Sequence, residues 1–154
     1  MCRKFISTII LLILAMTVMQ AQTPVEDVIM KYEDVKGARN FIASGVRMAL
    51  ARGLLKNTQV APIAENVEEL AILKMQDAPQ HSQVMFDSDL KEALKKYEYY
   101  GTQDTKNGVV DIYYLPKAGD QVEELVIYNP SIWSLNSLYG SFTMEQLLQL
   151  DKSR

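Results

Sequence analysis

The stretch that decides the fold is "NGVVDIYYLPKAGDQVEELVIY", residues 107–128. It contains two runs rich in β-branched and aromatic residues, which favour strands, separated by the turn sequence "PKAGD". Asn107-Gly108, in front of the first run, is a strong hairpin signal and predicts a polar strand at residues 102–105. Strands joined by such short turns must be antiparallel. The stretch therefore predicts an antiparallel meander.

Further strands are predicted on both sides of this meander. The run "IWSLNSLYG" at residues 132–140 predicts a later strand, and "VEELAILKM" at residues 67–75 predicts an earlier one with a continuous apolar middle. A short strand is expected at residues 38–43. Because polar side chains interrupt the last strand, we expect its pairing to be loose; these residues are Ser134, Asn136 and Ser137.

Helices are predicted from capping residues and apolar periodicity. Thr23 with Glu26 matches the capping box that begins a helix, and the same spacing recurs near the end of the sequence. A second helix is expected after Ser44, and a third over about residues 82–100. The capping pair of the closing helix is Thr143 and Gln146. The second helix has a broad apolar side, which consists of Val46, Met48, Leu50, Ala51, Leu54 and Leu55.

Helices that are separate from a meander are typical of the α+β class. We therefore expect helices packed on one face of a mostly antiparallel sheet. The chain has 154 residues, which is a normal length for one domain, and residues 22–154 are assigned to it.

The first 21 residues resemble a secretory signal peptide. Arg3 and Lys4 precede an apolar run over residues 5–19, and Ala21 follows as a small residue at the expected cleavage site. The run is shorter than the roughly 20 residues that a membrane-spanning helix needs. We predict cleavage after Ala21, a periplasmic or extracellular location, and no stable membrane span after cleavage; an uncleaved anchor and a buried helix are the alternatives.

Charge and cysteine content restrict the function of the remaining chain. The overall charge is −3, and removal of two basic residues leaves 14 basic and 19 acidic side chains, a net charge of −5. Nucleic-acid binding requires clustered basic residues, so no nucleic-acid partner is expected. Cys2 is the single cysteine and precedes the cleavage site. The mature chain would therefore contain neither disulfides nor thiolate metal sites.

Catalytic and cofactor motifs are weak in this sequence. His81 is the single histidine, lies in the predicted loop "QDAPQHSQ", and lacks the spacing of a metal site or the context of a hydrolytic triad. The pairs Glu68-Glu69 and Glu123-Glu124 each place only one carboxylate on a given face of a strand. The glycines match no phosphate-binding loop. We assign no catalytic residue, no metal and no cofactor.

The aromatic residues of the predicted sheet form the candidate interaction surface. An outward tyrosine beside Trp133 would create an exposed aromatic patch, a feature of many partner surfaces. Packing between neighbouring strands is the alternative explanation for the same residues. The candidate surface consists of Tyr113, Tyr128, Trp133 and Tyr139.

Several segments together resemble domain-of-unknown-function family 4252, small secreted proteins of Bacteroidetes-type bacteria. The segments are "KYEDVKGARNFIAS", "VEELAILKM" and "EELVIYNPSIWSLNSLYGSFTMEQLLQL", together with the signal peptide ending in "AQ". The resemblance covers nearly all of the mature chain. It implies an exported domain, but no catalytic residue, because the family has no established activity. Similar proteins often neighbour envelope-stress sigma-factor systems.

Three hypotheses about function follow. The first is a non-catalytic module that contacts another envelope protein through an exposed aromatic patch. The second is a small-ligand-binding domain with an apolar pocket between helices and sheet. The third is an unconventional hydrolase, which requires His81 or paired acids to converge in a cleft.

Overall fold

The computed structural model describes residues 22–152, with side chains described up to residue 150. The predicted signal peptide lies outside the described residues. The helices within this range are α1 (Pro24–Tyr32), α2 (Gly45–Leu55), α3 (Gln80–Leu94), α4 (Met144–Lys152) and a 3₁₀ helix at Ala61–Asn66. The strands are β1 (Arg39–Ser44), β2 (Val67–Lys74), β3 (Glu98–Thr105), β4 (Gly108–Pro116), β5 (Gln121–Asn129) and β6 (Ser134–Thr143).

The six strands form one sheet in the order β1-β2-β6-β5-β4-β3, and every neighbouring pair is antiparallel. This confirms the α+β class and the antiparallel sheet. The expected loose pairing of the last strand is wrong, because β6 pairs with β2 on one side and with β5 on the other. Its polar side chains leave the main-chain hydrogen bonds of the ladder intact and point into the two sides of the sheet.

Helices cover both faces of the sheet, so the expectation of helices on one face is wrong. On the face that we call the first, α1 and α3 pack on Ala71, Leu73 and Val126. On the second face, α2, the 3₁₀ helix and α4 pack with Leu70 and Leu125. Because neighbouring residues of a strand point to opposite faces, the continuous apolar runs of β2 and β5 supply both cores.

Both predicted capping boxes are confirmed. Thr23 Oγ1 accepts from the Glu26 N–H at 3.2 Å, and Glu26 Oε2 accepts from the Thr23 N–H at 3.3 Å. At the start of α4, Thr143 Oγ1 accepts from the Gln146 N–H at 3.2 Å, and Gln146 Oε1 accepts from the Thr143 N–H at 2.9 Å. These bonds satisfy N–H groups that have no partner within the helix.

The predicted third helix is wrong at both ends. It begins at Gln80, so that His81 lies in the first turn of α3 and not in a loop, and it ends at Leu94. Tyr99 and Tyr100 belong to β3, which pairs with β4 from Glu98 onward. The strand before the Asn107-Gly108 hairpin is therefore longer than predicted. Pairing with β4 outweighs the helical spacing of the apolar residues at the end of the predicted helix.

The second helix covers less of the core than its apolar side predicted. Only Met48 and Ala51 are buried in α2, whereas Val46, Leu50 and Leu54 are 83%, 76% and 73% exposed. None of the helices at residues 22–152 combines the length and the apolar character needed to cross a bilayer.

Candidate functional site

The second face of the sheet is only partly covered and contains an open groove. The groove has a volume of about 450 Å³ and lies between the sheet, the segment before the 3₁₀ helix and the end of α4. This volume is within the range of ligand pockets, roughly 300–1,000 Å³. Four aliphatic side chains of β4 and β5 form its floor: Val110, Ile112, Leu125 and Ile127. We call this feature the open-face groove.

Asn136 of β6 places an amide in this aliphatic floor. Its register partners on the two neighbouring strands are Ile127 and Ile72, so that apolar side chains flank it on both sides. The Asn136 side chain is half-buried and makes no hydrogen bond to any other described residue. An amide has two N–H donors and one carbonyl acceptor, and all of them remain available to a molecule in the groove.

Neutral polar groups form the rim of the open-face groove. Gln103 Nε2 donates to Gln59 Oε1 at 2.6 Å, which joins β3 to the segment before the 3₁₀ helix. Asn129 Nδ2 donates to the Asn107 carbonyl at 3.0 Å, next to the β3–β4 turn. Among the described side chains that line the groove, none is a carboxylate, ammonium or guanidinium group. The described lining of the groove is therefore uncharged.

A second cavity, of about 390 Å³, opens on the first face beside α1. Four carboxylates line it together with Met30, Ile42 and other side chains, and we call it the acidic cavity. Glu69 and Glu124 reach it from β2 and β5, because both are register partners of Tyr139 on the strand between them. One acid of each predicted Glu-Glu pair thus faces the same side of the sheet. The four acids are Glu26, Glu33, Glu69 and Glu124.

Most of these acids are bound within the protein. Glu124 is 1% exposed, and its two oxygens accept from the Tyr97 hydroxyl and, at 2.5 Å, from the Ser137 hydroxyl. Burial raises the pKa of Glu124, although the hydrogen bonds from Ser137 and Tyr97 oppose the increase. Glu26 belongs to the capping box of α1, and Glu33 accepts from Asn40 at 2.9 Å.

Tyr97 connects this buried carboxyl group to α1. Its hydroxyl donates to Glu124 and accepts from the Val25 N–H at 3.3 Å. Burial, followed by the charge of Glu124, raises the pKa of Tyr97 far above its usual range, so the hydroxyl keeps its proton. We conclude that Glu124 fastens α1 and the Tyr97 turn to the sheet, and that it presents no free oxygen to a substrate.

The four residues of the candidate interaction surface all lie on the side of the first face, and they do not form one exposed patch. Tyr128 is 3% exposed, its ring meets Phe86 edge-on at 6.1 Å, and its hydroxyl donates to Asp87 at 2.8 Å. The expectation of an exposed Tyr128 is therefore wrong, because α3 covers it. The other three are half-buried: Tyr113 and Trp133 pack against the first core, and Tyr139 lines the acidic cavity.

Trp133 has an unusual backbone conformation, with a φ of 46° in the turn between β5 and β6. Such values are rare for a bulky residue. Its carbonyl accepts from the Met75 N–H at 2.9 Å, which ties the turn to the end of β2. The neighbouring Ile132 lines the open-face groove, whereas Trp133 packs against the first core. The strained turn thus contributes side chains to both sides of the sheet.

His81 does not line either cavity. It is exposed, and Nε2 lies 3.3 Å from the Ser82 hydroxyl. No acid is hydrogen-bonded to the imidazole in the described chain, so the pair lacks the orienting group of a hydrolytic triad. Among residues 22–152, no three histidine, cysteine, aspartate or glutamate side chains converge as metal ligands.

No protein-family model matches the chain, and no curated protein or solved structure is significantly similar to it. Membership of domain-of-unknown-function family 4252 stays a prediction.

Sequence reasoning treated Asn136 only as a polar interruption of the last strand and did not place it in a groove. The available signal was that polar residues interrupt this apolar strand at both even and odd positions, and therefore on both faces of the sheet. Ser134 and Asn136 point toward the open-face groove, and Ser137 points toward Glu124 on the other face. Alternation along β6 separates these two roles, but only the neighbouring strands show what each side chain meets.

Proposed function

We propose that this domain is an exported, non-catalytic protein that binds a small uncharged ligand in the open-face groove. Asn136 is the observation that carries the proposal. A half-buried amide flanked by Ile72 and Ile127 has lost part of its contact with water, and no protein group replaces it. Water still reaches this amide, and a ligand that replaces the water with its own hydrogen bonds would also bury the aliphatic floor beside it.

The shape and chemistry of the groove support this proposal. The groove combines an aliphatic floor with a polar rim, and apolar contact together with oriented polar groups is what a small-molecule site supplies. The floor supplies apolar contact, and Asn136 and Gln103 supply donors and acceptors at defined places. The described side chains that line the groove carry no ionic groups, so transferring a charged ligand from water to this lining would be costly. The expected ligand has an aliphatic body and amide, carbonyl or hydroxyl groups.

The groove lies between the sheet, the segment before the 3₁₀ helix and the end of α4, which supports the ligand-binding hypothesis. An envelope partner that binds the aromatic residues is a weaker alternative, because α3 covers Tyr128. The hydrolase hypothesis is weaker as well, because both oxygens of Glu124 are already bound to hydroxyl groups. Export rests on the signal-peptide pattern of residues 1–21.

The proposal is tested by NMR titration of the chain from residue 22. The probes are N-acetyl-leucinamide and N-acetylglucosamine, which are uncharged, and N-acetyl-leucine, which carries a carboxylate. We expect saturable shifts of the side-chain amide signals of Asn136 and Gln103 with at least one uncharged probe. The carboxylate should bind at least about tenfold more weakly than the leucinamide, because its charge must be desolvated.

Two variants locate the binding site. Asn136→Leu should abolish the binding of the uncharged probe while the protein stays folded. Gln80→Leu, which removes an exposed amide at the start of α3, should bind like the wild type. Unchanged Asn136 signals with both uncharged probes, or equal binding to Asn136→Leu, would contradict the proposal.

A further inference from the structure

A second exposed surface lies on α2 and β1, outside the open-face groove. Val46, Leu50 and Leu54 are spaced by four residues, lie along one side of α2, and are 73–83% exposed. Phe41 of β1 is 50% exposed. Soluble monomers rarely expose contiguous apolar patches larger than a few hundred Å², and such patches usually mark interaction sites. We call these four residues the α2–β1 surface.

β1 is an open edge of the sheet. In the described chain it pairs with β2 alone, so that the main-chain groups on its other side have no strand partner. Natural edge strands are usually protected by proline, inward-pointing charges or bulges. In β1 the first residue, Arg39, is charged and pairs with Asp77, whereas residues 40–43, "NFIA", contain neither proline nor a charged residue. The opposite edge, β3, is polar and has a register shift between Tyr99 and Gly101.

The strand edge and the apolar stripe are continuous. α2 begins at Gly45, directly after the last residue of β1, and Gly45 makes this sharp change with a φ of 53°. Phe41 points to the face that α2 covers, because its register partner Ile72 packs with the second core. A chain that pairs with the free edge of β1 therefore also contacts α2.

The stripe points away from the inner strands. Arg52 lies about 200° around the helix from Leu50, and its guanidinium donates to the Val67 carbonyl of β2 at 2.9 and 3.0 Å. Met48 and Ala51 face the second core between these two directions. Leu50 therefore points away from β2 and from the core. In this direction its side chain is accessible to another molecule.

We propose that the partner of the α2–β1 surface is a second copy of this chain, with β1 paired antiparallel to β1 of the other copy. An antiparallel strand pair has a twofold axis perpendicular to the sheet, so the second faces of both copies lie on the same side. The two α2 helices then lie on that side next to each other. A single twofold rotation thus pairs the two β1 edges and covers the apolar stripes of both α2 helices.

The size of the surface fits this partner. The four side chains supply apolar area on the order of a few hundred Å² per copy. Pairing of β1 adds the main chain and side chains of six residues. Together they approach the roughly 800 Å² per partner that a stable dimer buries. The contact is also self-complementary, as a twofold dimer requires.

Analytical ultracentrifugation of the chain from residue 22 over a range of concentrations tests the proposal. We expect a monomer–dimer equilibrium in the wild type. Leu50→Glu, at the centre of the stripe, should weaken dimerisation at least about tenfold, because it places a charge in an apolar contact. Val84→Glu is the matched control, because Val84 is 60% exposed on α3, on the other side of the sheet.

A cross-linking experiment tests the geometry independently of folding effects. The chain from residue 22 contains no native cysteine, so Leu50→Cys introduces a single thiol. We expect mild oxidation to link two copies of Leu50→Cys and to leave Val84→Cys monomeric. A wild type that is monomeric at every concentration, or a dimer that Leu50→Glu leaves equally strong, would overturn the proposal, and so would equal cross-linking of both cysteine variants.

Discussion

The first face of the sheet is packed beneath α1 and α3 except at the acidic cavity, whereas the second face is partly open as the open-face groove. On the first face, most polar side chains that reach the core bind one another, although Glu69 in the acidic cavity has no hydrogen-bonding partner among the described residues. Tyr32 and Tyr128 donate to Asp89 and Asp87 at 2.6 and 2.8 Å. On the second face, Asn136 has no such partner among the described residues. The buried tyrosines of the first face are thus part of the fold's own hydrogen bonds, whereas the amide of Asn136 is not.

The largest expected difference concerns the apolar packing of the two faces. Phe86 is fully buried and meets Tyr32 and Tyr128 edge-on, so Phe86→Ala should lower the free energy of unfolding by about 3–5 kcal/mol. Ile127 is half-buried in the groove, and Ile127→Ala should cost less than about 2 kcal/mol. Chemical denaturation of both variants measures these values. Equal losses would show that the open face is packed as tightly as the closed one.

A smaller difference is expected between two neighbouring residues of β6. Ser137→Ala leaves one oxygen of the buried Glu124 without its donor and should cost about 1–3 kcal/mol. Asn136→Leu breaks no hydrogen bond within the protein and should change the free energy of unfolding by less than about 0.5 kcal/mol, or increase it. The same denaturation experiment checks both. A costly Asn136→Leu would mean that the amide supports the fold.

The smallest expected effect is a change in pH dependence. Burial raises the pKa of Glu124 above its ordinary value of 4.5, so the folded state holds its proton to a higher pH than the unfolded state does. The stabilisation from this proton is complete below pH 4.5 and is lost as the pH rises through the pKa of the folded state. In Glu124→Gln the free energy of unfolding should no longer decrease with pH for this reason. The hydroxyl groups of Tyr97 and Ser137 keep a hydrogen-bonding partner in the glutamine.

Unfolding of Glu124→Gln and of the wild type at a series of pH values from 4 to 8 provides the measurement. The wild type should become less stable relative to the variant as the pH increases. The opposite trend would indicate that Glu124 is stabilised as an anion. Glu123→Gln, on the partly exposed neighbour that accepts from Tyr139 at 3.3 Å, serves as the control for a change of charge alone.

Local signals in the sequence predicted most of the elements of this fold. The two capping boxes, the Asn107-Gly108 hairpin and the apolar run at residues 70–73 each act over a few residues, and each matches the structure. The continuous run in β2 also indicated that both faces are covered, because a half-exposed strand alternates. The expectation of a single helical layer overlooked that signal.

The candidate site depended on contacts that the sequence does not display. Glu124 resembles its neighbour Glu123 in sequence, yet the hydroxyl groups that surround it come from Tyr97 and Ser137, 27 and 13 residues away. Asn136 became a candidate only when its neighbours on β2 and β5 were known to be isoleucines. The aromatic residues were visible in the sequence, but the sequence did not show that α3 packs over Tyr128.

The central place of β6 has a consequence for how the chain folds. β1 pairs with β2, and β3, β4 and β5 form a meander, but these two groups of strands are joined in the sheet only through β6. Until residues 134–143 are present, the inner edges of β2 and β5 lack their partner. The sheet is complete only when β6 has joined both groups, and its pairing with β2 connects segments far apart in the chain, a feature of topologies that fold slowly. A chain that stops before residue 134 would expose two apolar strand edges and tend to aggregate.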